Sequence, residues 1–297
     1  MLIALSACGF GSISPLTVIA TSHGAALQTV QAWRYVTSAL LLMVYASVMR
    51  ATKSSSPLPS QTAAGPWYSP RIILIAGSGQ TAVATLALLA LRWIPAATSA
   101  FLFYTYPAMV AIIAAIRGTE RLAPIRVVAL LLALGGIATM VGAPSSAALD
   151  VRGIVAVITA ALIYAFYIPV LASLQHGRAP VDVARAISVG GAMFFVAWAL
   201  VTGALFIHMD PAALAASVMQ GIVAAVAFVC FLTGLSELGP VRTAITSTVE
   251  PFWTTMLGVV LLGQPIGFGT LVGGALIMTA VVLLQRPSVS SGRLHSS

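Results

Sequence analysis

Stretches of about twenty mostly apolar residues follow one another from end to end of this chain. Each is long enough, at about 1.5 Å per helical residue, to cross a hydrocarbon core about 30 Å thick. Read this way, the expected spans are 2–21, 30–49, 71–91, 95–116 and 125–141, then, after a polar break, 153–173, 184–207, 213–235, 241–262 and 266–285. Backbone polar groups in lipid must be satisfied within the segment, so these stretches are expected to be helices. The alternative, a soluble domain, fails on composition. Only 7% of the 297 residues are charged and 60% are hydrophobic, against about 25% charged in soluble domains, and the mean hydropathy is +1.04. The fold class expected is therefore an all-α integral membrane protein of about ten transmembrane helices. The first stretch has no basic leader and no convincing cleavage site, which reads as a retained helix. An apolar run that opens at Leu2 is compatible with a few further residues upstream.

The net charge of +8 invites a nucleic-acid reading, but the basic residues lie singly between apolar runs. Phosphate contacts need a clustered patch, so no nucleic-acid partner is expected. Loop orientation explains the excess better. With the N-terminus inside, the cytoplasmic segments hold all 14 Lys and Arg except Arg34, Arg92 and Arg152. That bias places both termini in the cytoplasm and requires an even number of spans. The Ser/Pro-rich stretch 53–70 becomes a cytoplasmic loop and 286–297 a disordered tail. Cys8, Cys230 and the four histidines are isolated, without metal-ligand spacing. No metal, cofactor or catalytic residue is expected.

The polar break at 143–152 divides the chain into two halves, 1–145 and 150–286, followed by a disordered cytoplasmic tail, 287–297. Two landmarks recur. Pro107 lies inside the fourth expected span and Pro251 inside the ninth; Pro15 and Pro169 lie in the first and sixth. Five spans per half, an odd number, insert the second half upside down relative to the first. Inverted five-helix repeats place a substrate site at the midplane between the halves. A proline within a span removes one helix hydrogen bond and clashes with the preceding turn. The carbonyls freed near Phe103 and Ser247 then need protein partners or cavity water. A simple kink in a buried helix is the plainer alternative.

The pattern around these prolines resembles the drug/metabolite transporter superfamily, in its ten-helix branch of two EamA-type repeats. The segment 238–264 carries the likeness most clearly: Leu-Gly-Pro-Val-Arg-Thr-Ala, then Val-Glu-Pro-Phe, then Leu-Leu-Gly-Gln-Pro. The first half offers Leu-Arg-Trp-Ile-Pro-Ala-Ala from Leu91, then Tyr106-Pro107, then Gly118-Thr119-Glu120. Gln264 departs from the glutamate usual there, which is expected to affect packing more than transport. The resemblance implies a polytopic carrier, often an exporter of amino acids or other metabolites, and fixes no substrate. The expected location is a bacterial cytoplasmic (inner) membrane.

Glu250 is the sharpest candidate for chemistry. Counting from Val241 puts it about 13 Å into a core about 30 Å thick. An ionisable group at that depth is a functional hypothesis by default. It could couple transport to protons or pair with an ammonium group on a substrate; a carboxyl satisfied by Thr246 or Thr254 is the structural alternative. Tyr106 is its counterpart in the first half, with Tyr104 on the adjacent face. Tyr164, Trp253 and Gln80 complete the substrate-binding or coupling candidates, since aromatic rings with a polar tip suit amphipathic or cationic solutes. Packing explains any one of them as well. Pro107, Pro251, Pro15 and Pro169 are the expected helix breaks. Arg34 and Arg242, near span ends, are candidates for gates, with side chains snorkelling to the interface as the alternative.

The function expected is a secondary transporter working by alternating access, exporting a small metabolite such as an amino acid. Proton coupling and facilitated diffusion both remain open, and the lipid bilayer and a small-molecule solute are the expected partners. No phosphate-binding loop of the Gly-x-x-x-x-Gly-Lys-[Ser/Thr] type occurs. A rival reading is an intramembrane serine enzyme built on Gly77-Ser78-Gly79. Nucleophilic catalysis needs a base within hydrogen-bond reach, and no histidine is expected at that depth.

Overall fold

The computed structural model describes residues 1–52, 66–106, 108–109, 113, 124–142, 149–206, 208–247 and 249–284. The helices are α1 (Leu2–Ser22), α2 (Leu27–Thr52), α3 (Pro70–Leu89), α4 (Ala96–Phe103) and α5 (Pro124–Gly142) in the first half. The second half holds α6 (Val151–Gln175), α7 (Pro180–Val201), α8 (Pro211–Ser247), α9 (Val249–Leu262) and α10 (Phe268–Leu284). Among the described residues there is no strand. Six of these helices are long and apolar enough to cross a membrane: α1, α2, α3, α6, α7 and the Pro211–Glu237 part of α8. Their outer faces carry bare apolar side chains such as Leu40, Val44, Leu74 and Val155, as a lipid-facing surface requires. The chain is an integral membrane protein.

Local chemistry sets where the helices begin and end. Proline opens α3, α5, α7 and α8, where its missing N–H costs nothing and its fixed φ already suits the helix. Asp150 caps α6 by accepting from the Arg152 N–H at 2.8 Å. The seventh span, expected to reach Ile207, ends instead at Val201, because Gly203 turns the chain at φ +68°. Such a backbone suits glycine and ends the helix there. The eighth and ninth spans also differ from expectation. Helix α8 is 37 residues long, about 55 Å if straight and too long for one crossing. It does not run straight. Gly234 packs on Ile3 at the start of α1, whereas the carbonyl of Glu250, just beyond the end of α8, lies against Gly11 in the middle of α1. The chain reverses in between, within the segment that carries Gly239-Pro240.

Packing between the halves shows their relation. Helix α1 packs on α8 and α9; α2 on α7 and α8; α3 on α6 and α7; α4 on α6, α9 and α10; α5 on α10. Exchanging each helix for its counterpart, α1 for α6 and so on, turns α1–α8 into α6–α3 and α1–α9 into α6–α4. It turns α2–α8 into α7–α3 and leaves α2–α7, α4–α9 and α5–α10 unchanged. An inverted pair of five-helix repeats predicts this pattern of contacts. The closest approaches use small residues, as membrane helices do. A Cβ added to Gly77 of α3 would strike the backbone of Gly190 of α7, and one on Gly79 would enter the Tyr167 ring. Ser38 and Ser188 meet across the α2–α7 contact with their hydroxyl oxygens 3.0 Å apart.

Candidate functional site

Pro251 lies near the start of α9, beyond Thr248, which is outside the described residues; a proline leaves the carbonyl a full turn earlier without its helical N–H partner. The carbonyl a full turn before Pro251 is that of Ser247, and it accepts a hydrogen bond from the Tyr104 hydroxyl at 2.5 Å. Tyr104 itself follows the end of α4, in a turn at Tyr104-Thr105. Pro107 lies outside the described residues. Pro15 and Pro169 correct the expectation of a break: α1 and α6 run through them. A helix can tolerate proline when neighbours satisfy the freed carbonyl, and at Pro15 that neighbour is visible. The Gly11 carbonyl accepts from the Thr254 hydroxyl of α9 at 3.0 Å. Thus hydroxyls from partner helices hold the carbonyls freed by Pro15 and Pro251.

These bonds surround a cavity of about 150 Å³, on the order of the volume in which a buried cavity holds benzene. Its wall joins both halves. Gln80 and Tyr106 from the first half face it, as do Tyr164, Glu250 and Thr254 from the second. Glu250 is half-buried, and its carboxylate Oε2 lies 3.1 Å from the Tyr104 hydroxyl oxygen. Tyr104 is 3% exposed. The rings form a connected ladder: Tyr104 to Tyr106 at 5.8 Å, Tyr106 to Tyr164 at 4.9 Å and Tyr164 to Tyr167 at 6.3 Å between centroids. Tyr167 is anchored by donating to the Ala76 carbonyl at 2.7 Å. The wall therefore offers aromatic faces, hydroxyls and one carboxylate within a space for one small solute.

The structure brings Glu250, Tyr104, Tyr106, Tyr164, Gln80 and Arg34 together around the cavity. Trp253 is not in the cavity wall; its indole N–H donates to Ser12 Oγ at 2.9 Å, tying α9 to α1. Arg34 is not a residue of the mouth: it is 3% exposed and lines the cavity. The Arg242 side chain and Glu120 lie outside the described residues. Gln264 takes an unexpected part, accepting from the Ala96 N–H at 3.1 Å and so capping α4 from the opposite half. Ser78 is exposed and its hydroxyl donates back to the Ile75 carbonyl at 3.4 Å, while the cavity wall holds no histidine. Sequence reasoning missed Ser6 and Phe10 of α1, which join Ser14 in the wall. Their spacing puts them on one helical face, but without polar contrast that face is invisible in an apolar helix.

Comparison with known proteins agrees with this architecture. A crystal structure of a protein 20% identical in sequence superposes with a TM-score of 0.62, over 94% of this chain and 95% of that one. That likeness is one of fold. No curated protein matches the sequence. The sequence profile of the EamA-like transporter family matches residues 1–142 and again 151–286. The two matched segments span both halves of the molecule, and the chain belongs to the EamA-like transporter family.

Proposed function

We propose that this membrane transporter is a secondary carrier that exports a small metabolite, such as an amino acid or related compound, by alternating access around the cavity between its halves, with Glu250 as the proton-coupling group. The observation that carries the reading is the Ser247–Tyr104–Glu250 arrangement. A tyrosine hydroxyl has one proton to donate, and here two acceptors face it. When Glu250 is ionised, its carboxylate competes with the Ser247 carbonyl for that proton. When Glu250 is protonated, it donates to the Tyr104 oxygen, and Tyr104 donates undivided to Ser247. Protonation thus changes the bonds that tie Tyr104, at the end of α4, to Ser247 and Glu250 in the second half. Both termini lie in the cytoplasm of a bacterial cell on this reading, supported by the loop charges.

A thermal-shift screen against metabolites identifies a solute for flux assays in proteoliposomes. With that solute, an imposed pH gradient is expected to drive flux, and Glu250→Gln to abolish the dependence while folded protein remains in the membrane. Equal flux with and without the gradient would instead assign a facilitative carrier. Unchanged flux and pH dependence in Glu250→Gln would remove Glu250 from the mechanism.

A further inference from the structure

Arg34 is a cation buried inside a membrane protein with too few acceptors around it. It lies in α2, is 3% exposed, and lines the same cavity as Glu250. One guanidinium nitrogen, Nη1, donates to Gln31 Oε1 at 2.9 Å, and the guanidinium carbon stands 4.7 Å from the centroid of the Tyr35 ring. Its Nε has no partner, and none of the ion pairs among the described residues includes it. Behind it, Gln220 Oε1 accepts from Thr17 Oγ1 at 3.1 Å and from Gln31 Nε2 at 3.5 Å. Gln220 Nε2 has no partner either. Both amide oxygens of this network already accept hydrogen bonds, while two buried donors lack partners and no carboxylate among the described residues pairs with the charge. A snorkelling arginine would reach the interface, and this one does not. Buried charges in membranes are paired or functional, and a guanidinium fork matches a carboxylate in geometry and charge.

We infer that Arg34, backed by Gln31 and Gln220, is an oxyanion subsite of the cavity and that it takes a carboxylate of the transported solute. The inference rests on the carrier reading for the word "solute", but the subsite itself does not depend on proton coupling. With Glu250 in the same wall, the cavity then suits an amphoteric molecule whose anionic end meets Arg34 and whose cationic end meets Glu250.

The test uses the purified full-length protein and two probes of one carbon skeleton, isocaproate (a carboxylate without an amine) and isoamylamine (an amine without a carboxylate). Thermal stability is followed as each is titrated, since a ligand that binds only the folded state raises Tm. Isocaproate is expected to raise Tm of the wild type, and Arg34→Gln to weaken its apparent affinity roughly tenfold or more. Arg34→Lys keeps the charge without the fork and is expected to fall between them; it decides the matter if the glutamine variant does not fold. A wild-type Tm indifferent to isocaproate, or an isocaproate titration unaltered in the variants, would overturn the subsite even if the variants are less stable. A rise that disappears on adding phosphatidylglycerol would assign the site to a lipid headgroup and overturn the solute reading. Loss of pH-driven flux dependence with an intact isocaproate response would reject the coupling proposal and leave the subsite standing.

Discussion

At Tyr104 a single hydroxyl joins three features that lie far apart in sequence: the end of α4, the carbonyl freed by Pro251, and Glu250. Removing it should therefore act on stability and transport together. Tyr104→Phe is expected to lower stability by about 1 kcal/mol, the usual scale of an interhelical hydrogen bond in a membrane protein, and to flatten the dependence of flux on pH. Thermal denaturation in detergent and proteoliposome flux check the two parts. Glu250 could be singled out beforehand because a carboxyl deep in a span stands out against apolar surroundings. Tyr104 and Thr254 were named on the same stretches, but their roles as donors to freed carbonyls could not be read. That Arg34 faces the cavity could not be read, because distance along a helix says nothing about which face a side chain occupies.

At the scale of elements, Pro251 leaves the Ser247 carbonyl to be held by the Tyr104 hydroxyl. Pro251→Ala would supply an N–H for the Ser247 carbonyl. In that background Tyr104→Phe should cost much less than it does alone, so the two changes should be non-additive by about 0.5 kcal/mol or more in a double-mutant cycle. Additive effects would mean that the Tyr104 bond does not compensate for the proline. The glycine contacts offer a separate test. Gly190→Val places a side chain against the backbone of Gly77, and overpacking of this kind costs about 1–3 kcal/mol; Tm of the purified variant reports it. The first, second, third, fifth, sixth and tenth spans were legible to within a few residues, because length and hydropathy are local properties. The end of α7 at Gly203 and the reversal inside α8 were not, since both depend on backbone conformation within apolar sequence.

At the scale of the whole molecule, the two halves meet through contacts that, α4–α10 apart, map onto one another when the repeats are exchanged. The α2–α7 contact lies on the axis of that exchange, where the Ser38 and Ser188 oxygens are 3.0 Å apart. In a background with Cys8→Ala and Cys230→Ala, the pair Ser38→Cys and Ser188→Cys is expected to form a disulfide on oxidation. Alternating access requires the halves to move, so oxidation should suppress flux several-fold and reductant should restore it. Full flux with the disulfide shown to be closed would place the moving contact elsewhere, between α1 and α9 or α4 and α9.

Apolar length, loop charge and paired prolines by themselves determined a membrane protein of two inverted halves, because each is carried by neighbouring residues or simple parity. Only the tertiary structure decided which side chains share the cavity, that Trp253 holds α1 rather than a solute, and that Arg34 lies beside the carboxylate's chamber with donors to spare. Rotation about a helix axis settles those outcomes, and in a helix apolar all round no pattern of hydropathy marks that rotation. It is set by where glycines let helices touch and by which hydroxyls reach the carbonyls that proline leaves free.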